Sequence, residues 1–173
     1  MDSDLTLRVD GVEHRLTVDT RTSLLDALRQ RLGVQSAKKG CDHGQCGSCT
    51  VLVDGTRVLA CLTLAVTRDG SDVLTAAGLD GDGVDHPVHR ALVDHDGFQC
   101  GYCTPGQVCS AVGVLDEVAR GWPSAVTGDL AAEPELDDAE IAERMSGNLC
   151  RCGAYLGIRA AVAQAAREQG VAR

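Results

Sequence analysis

The sequence predicts an α+β protein in two parts, a small domain of strands around one helix followed by a small helical bundle. Three observations carry this. Up to about residue 78 apolar and polar residues alternate with period two around two Asp-Gly turns. The stretch 78–85, GLDGDGVD, is dense in Gly and Asp and breaks the pattern. Beyond it the apolar period changes to near four. We therefore place one domain at residues 1–78 and a second at 79–173.

Leu5-Thr6-Leu7-Arg8-Val9 alternates, Asp10-Gly11 offers a type I′ turn, and Val12, Leu16 and Val18 return on one side, as a β-hairpin. Ser23 to Asp26 reads as a capping box. Leu24, Leu25, Leu28 and Leu32 then fall at helical spacing, and Gly33 ends the helix. Thr50 to Val53, Asp54-Gly55 and Arg57 to Cys61 form a second hairpin, which puts Cys61 on a strand. Leu62–Val66 and Val73–Thr75 read as further short strands.

In the second half, His86-Pro87 opens a helix that ends near Gly97. Thr104 reads as an N-cap with Pro105 at the first helical position, and Val108, Val112, Leu115 and Val118 form an apolar stripe closed by Gly121. Residues 121–135 read as a loop. Asp137 to Glu140 starts a third helix with acid at its N-terminus, and Ile158, Ala161, Val162 and Ala165 mark a fourth.

Composition narrows the function. With 2% aromatic residues in 173, the core is built from Val, Leu and Ala, the kind of small core that a metal staples. Nine cysteines behind a start unlike a secretory signal point to a reducing compartment and to metal ligation. A net charge of −9 argues against nucleic acid, and no apolar run approaches a membrane span. The basic pairs Arg29/Arg31 and Lys38/Lys39 read first as a solvated helix end and second as a docking patch.

The chemistry concentrates in residues 40–49, GCDHGQCGSC. Cys41, Cys46 and Cys49 stand at C-x4-C-x2-C, and Cys61 lies 12 residues beyond the third. This is the spacing of a plant-type [2Fe–2S] site, in which four thiolates hold two irons. Gly40, Gly44 and Gly47 let the loop curl and turn N–H groups towards sulfur. A zinc site more often arrives as two CxxC-like pairs, whereas here three ligands share one loop. His43 makes a C-x-H with Cys41, but a Rieske centre needs a second His where Cys46 and Cys49 stand. His43 reads as a solvated loop residue.

A second set follows. Cys100-x-x-Cys103 and Cys150-x-Cys152 are separated by 46 residues, and each pair immediately precedes a helix start, where the helix dipole favours thiolates. Spacing alone leaves zinc and iron–sulfur equally open at this set. A cluster in the first domain favours iron–sulfur, because a second centre gives an electron somewhere to go. Cys109, the ninth cysteine, reads as a small buried core residue.

Three stretches taken together, GCDHGQCGSCTVLVDG, DGFQCGYCTPGQVCSA and RMSGNLCRCGAY, resemble the small iron–sulfur subunit of the xanthine oxidase family of molybdenum hydroxylases. Within it the sequence is most similar to iron–sulfur subunits of bacterial heterotrimeric aldehyde dehydrogenases. The resemblance spans nearly the whole chain. It implies a β-grasp ferredoxin-like domain followed by a four-helix bundle, each with a [2Fe–2S] cluster. By motif match Cys41, Cys46, Cys49 and Cys61 would hold the outer cluster, facing the subunit that binds FAD. Cys100, Cys103, Cys150 and Cys152 would hold the inner one, beside the molybdopterin cofactor of the large subunit. Gln99 matches the position that hydrogen-bonds the pterin, and Cys152 the ligand closest to its amino group.

The resemblance further implies that substrate is oxidised at molybdenum on the large subunit, and that this chain passes electrons singly through the inner and outer clusters to FAD. An aldehyde is the first expected substrate, with a purine or another N-heterocycle second. Arg151, between two ligands, reads equally as a charge that raises the inner potential and as a surface residue. A start at Met1 that enters its first strand by Leu5, without a twin-arginine signal, points to the cytoplasm. The other functional class is a stand-alone two-cluster ferredoxin without fixed partners. A zinc-stapled structural module is a third.

Overall fold

Two Asp-Gly turns shape the first half. Asp10 and Gly11 take φ of 48° and 82°, and Asp54 and Gly55 take 50° and 79°. These left-handed pairs make the type I′ turns whose twist matches the flanking strands. The computed structural model describes residues 1–80 and 84–171, so 81–83, within the expected domain boundary, lie outside the described residues.

The first turn joins β1 (Asp2–Val9) to β2 (Val12–Asp19), paired antiparallel with Val9 opposite Val12. The second joins β3 (Thr50–Val53) to β4 (Thr56–Leu59), and β5 (Asp72–Leu74) completes a sheet of order β2-β1-β5-β3-β4. β5 runs parallel to β1 and antiparallel to β3, so the two hairpins share one mixed sheet. Leu5, Leu7 and Val9 alternate inwards from β1 and meet Leu24, Leu25 and Leu28 of the helical segment. Each such side chain contributes roughly 1.5–3 kcal/mol when removed from water.

Ser23 caps that segment, its Oγ accepting from the Asp26 N–H at 3.1 Å. One turn of α-helix, α1 (Leu24–Asp26), passes into a π-helical stretch at Ala27–Arg31, and Gly33 leaves it at φ 72°. The expected strand at Leu62–Val66 is absent. Leu62 to Leu64 turn, and a 3₁₀ turn spans Ala65–Arg68. Pairing there is limited to a single antiparallel bridge of Leu64 with Ser23, made by the Ala65 and Leu24 N–H groups to the Thr22 and Thr63 carbonyls, and the Thr67 N–H then turns back to the Leu64 carbonyl. Cys61 likewise sits in the turn just after β4 rather than on the strand.

Beyond residue 84 the described structure is helical: α2 (Pro87–Asp94), α3 (Thr104–Ala119), α4 (Asp138–Arg144) and α5 (Tyr155–Glu168), with residues 121–137 as a loop. Asp137 caps α4 by accepting from the Glu140 N–H at 2.8 Å. At α3 the cap position belongs to Cys103, one residue earlier than the sequence suggests, and the buried Thr104 Oγ1 finds no partner among the described residues. Val88, Val108, Val114, Ile141 and Val162 build a second apolar core, into which Leu52 of β3 also packs. No described helix is long and apolar enough to cross a membrane.

Candidate metal centres

The loop between α1 and β3 is held by its own polar groups. Lys39 Nζ lies 2.8 Å from both Asp26 and Asp42, and the Lys38 N–H donates to the Ser48 carbonyl at 3.2 Å. The Arg29 guanidinium donates to the Ala37 carbonyl at 2.8 Å. Lys39 and Arg29 are thus engaged in tying the loop, while Arg31 is exposed. The N–H groups of His43 and Gln45 point at Cys41 Sγ from 3.5 and 3.2 Å. The His43 N–H, more than any other group, brings the Cys41 thiol down to about 6. Burial pushes Cys49 the other way, to about 12. His43 itself is exposed, its Nδ1 2.5 Å from the Cys41 carbonyl.

The second set is built at two helix starts. Cys103 caps α3, and Cys150 and Cys152 precede Ala154, the cap of α5. The Tyr102 N–H, first among its neighbours, lowers the Cys100 thiol. Burial opposes ionisation of Cys150, but N–H groups of Ala154, Cys152 and Gly153 outweigh it and bring that thiol down. Cys103 is pushed up to about 11 by burial. Cys100 and Cys152 are exposed, whereas Cys150 is buried.

Within each set the thiols influence one another's ionisation in pairs. Cys41 interacts with Cys46 and Cys49 with Cys61, while Cys49 also feels the charge of Cys46. Cys100 interacts with Cys152 and Cys103 with Cys150, with charge contacts between the two pairs. No three His, Cys, Asp or Glu side chains among the described residues surround one point that would hold a single ion. Two such pairs in each set suit a two-iron cluster, in which each iron takes two thiolates. The donor chemistry fits in other ways too. N–H groups aim at sulfur, and a Cβ on Gly40 would come within 2.8 Å of Cys46 Sγ.

A cleft of about 410 Å³ opens beside the second set, lined by Cys100, Cys103 and Cys150 with Tyr102, Arg151 and Tyr155, and Cys46 of the first set reaches it. Both tyrosines of the chain stand here. The Tyr102 hydroxyl donates to the Lys39 carbonyl at 2.7 Å, and the Cys150 N–H donates to Tyr155 Oη at 2.9 Å. At the floor the Leu149 N–H donates to the Cys46 carbonyl at 2.9 Å.

Two family profiles cover this architecture. One, a 2Fe-2S iron-sulfur cluster binding domain, matches residues 7–71, and the other, a [2Fe-2S] binding domain, matches 75–163. The aldehyde oxidoreductase iron-sulfur-binding subunit PaoA of Escherichia coli K12 is 58% identical over 164 residues, 95% of this chain and 72% of that one. This chain is an iron–sulfur subunit of the molybdenum hydroxylase family. The nicotinate dehydrogenase small FeS subunit of Eubacterium barkeri is 36% identical to this iron–sulfur subunit, over 91% of each chain. Quinoline 2-oxidoreductase from Pseudomonas putida 86 superposes with a TM-score of 0.81 at 34% identity, over 98% of both chains. The subunit carries two [2Fe–2S]-binding domains and serves electron transfer in an oxidoreductase complex.

The eight cysteines singled out by spacing lie in the loop before β3, in the turn after β4 and at the starts of α3 and α5. Gln99 is exposed beside the exposed Cys100, and Arg151 and Cys152 are exposed as well. Cys109 is 1% exposed inside α3, and burial raises its thiol to about 12. Sequence reasoning passed over Asn148, Tyr102 and Tyr155. All three lie within three residues of a cysteine, and Asn148 is an amide at a position the fold buries.

Proposed function

We propose that Cys41, Cys46, Cys49 and Cys61 hold an outer [2Fe–2S] cluster and that Cys100, Cys103, Cys150 and Cys152 hold an inner one. Bound clusters supply one-electron redox capacity. The chain's part is to fix eight thiolates, to aim N–H groups at them and to join the segments that bear them. The observation that carries this reading is the loop that aims the His43 and Gln45 N–H groups at Cys41 Sγ and packs Gly40 on Cys46 Sγ, beside the two helix starts that bear the second set.

The partners are a large subunit with a molybdopterin-type molybdenum cofactor and a medium subunit with FAD. Electrons enter at the inner set and leave from the outer one. Gln99 and Cys152 then meet the pterin, which their exposure permits. An aldehyde is the substrate class supported by the 58% identity to an aldehyde oxidoreductase subunit. The relatives named for nicotinate and caffeine stand at 36% and 39%. We read the second domain, from about residue 79, as a four-helix bundle behind a β-grasp domain. We assign the complex to the cytoplasm, a reducing compartment that keeps nine cysteines as thiols.

The test is electron paramagnetic resonance of the dithionite-reduced protein co-expressed with its partners, with iron and molybdenum analysis. Two distinct signals are expected, the outer one removed by Cys46→Ser and the inner one by Cys150→Ser. A colourless protein with bound zinc would sink the reading. Two signals in a chain that never captures a partner would favour a free ferredoxin.

A further inference from the structure

The junction between the two cysteine sets is organised by one buried side chain. Asn148, two residues before Cys150, is 5% exposed. Its Nδ2 donates to the Gly47 carbonyl at 3.0 Å and its Oδ1 accepts from Ser110 Oγ at 2.6 Å. Its own carbonyl accepts from Gln107 Nε2 at 3.1 Å. Gly47 lies between Cys46 and Cys49, and Gln107 and Ser110 lie on the helix that Cys103 caps. One amide therefore joins three cysteine-bearing segments.

Next to this amide runs a short bonded link between the sets. The Cys46 carbonyl accepts the Leu149 N–H at 2.9 Å, and Leu149 is joined by one peptide bond to Cys150. The segments meet at backbone contact. A Cβ on Gly47 would stand 2.4 Å from the Gly147 carbonyl oxygen, and a Cβ on Gly106 2.4 Å from that of Gly47. With so little slack, a shift of Gly47 displaces Cys46 against Leu149.

Resting on the assignment of the eight cysteines above, we propose that Asn148 is the positioning residue for electron crossing between the two centres. Its amide holds Gly47 so that the Cys46–Leu149 hydrogen bond stays the link. The crossing moves one electron and no proton. One centre is oxidised by one, the other reduced by one, and no bond forms or breaks. Asn suits the task because it donates to one neighbour and accepts from another. An aspartate of the same shape only accepts, and would face the Gly47 carbonyl with a second oxygen.

The experiment uses the assembled complex carrying Asn148→Asp or Ser110→Ala, beside the parent. It reads the magnetic interaction between the two reduced clusters and the rate of electron arrival at the outer one by stopped flow. Iron content serves as the check on both sets. With iron retained, Asn148→Asp is expected to alter the magnetic interaction and slow the arrival about tenfold, within the loss of up to about 100-fold that a misplacement on the order of 1 Å can cause. Ser110→Ala leaves the Gly47 bond but frees the amide to turn, and gives a smaller change in the same direction. Unchanged interaction and rate in both variants, with only a lower melting temperature, would overturn the inference. Should Asn148→Asp not assemble, Ser110→Ala decides by the same readings. Failure of the parent to show two clusters would instead strike the cysteine assignment, so the two failures are distinguishable.

Discussion

Arg57 on β4 and Glu117 on α3 meet through two parallel hydrogen bonds, Nε and Nη2 each 2.8 Å from a carboxylate oxygen. The same Arg57 donates through Nη1 to the Arg144 carbonyl at 2.9 Å. The Arg144 guanidinium, 3% exposed, lies 3.5 Å from Glu117 and 2.9 Å from Glu140. One carboxylate thus answers two guanidinium groups where the sheet packs on the helices. Glu117→Ala would leave Arg57 without its counter-charge, Arg144 keeping Glu140, and is expected to cost about 3 kcal/mol. The midpoint of denaturant unfolding checks it, and a variant as stable as the parent would show that solvent screens the network.

The sheet and the helices also meet through Gly106, whose absent side chain leaves room for the Gly47 carbonyl. Gly106→Ala forces a backbone contact that no rotamer relieves. We expect a loss of about 1–3 kcal/mol, together with a weakened hold on the outer cluster. Iron content and thermal melting of the purified variant measure the two effects separately.

Cys109 is a packing residue. Cys109→Ala is expected to leave iron content and both paramagnetic signals as in the parent and to cost about 1 kcal/mol. Cys109→Ser, which buries a hydroxyl, should cost more than the alanine. Loss of iron in either variant would make Cys109 a ligand after all.

Glu140 carries the acid sensitivity of the junction. Burial raises its pKa, but bonds from Thr127, Ser124 and Arg144 more than offset that and leave it below the usual carboxylate value of 4.5. Its folded pKa being depressed, its stabilising share is present above that value and fades as pH falls through the folded one. Glu140→Gln should therefore flatten the pH dependence of stability on the acid side, while changing little in slope near neutrality. Unfolding midpoints of the two proteins across the acid limb test this directly.

Gln99 should behave as a surface residue in this chain taken alone. Gln99→Ala is expected to keep both clusters and the parent's melting temperature, while turnover of the assembled complex falls. An unchanged turnover would remove Gln99 from the cofactor contact.

Much of the molecule was legible because its signals are local. The Asp-Gly turns, the Ser23 and Asp137 caps and the cysteine spacings each act within a few residues, so neighbouring side chains announce them. The failures were local too, and instructive. Leu62 to Val66 carries strand-like residues, but its pairing stops at the one bridge of Leu64 with Ser23, and the chain turns into a 3₁₀ segment at Ala65.

Residue types and spacing singled out eight cysteines, and the resemblance those motifs carry pointed to an iron–sulfur subunit, because soft donors and tight loops are written in consecutive residues. They did not reveal that Asn148 joins the segments that bear them. The Asn148–Gly47 bond spans 101 positions and the Arg57–Glu117 pair spans 60. Contacts at such separations arise only when two hydrophobic cores have formed and been pressed together, and packing of that kind leaves no periodic mark on the chain.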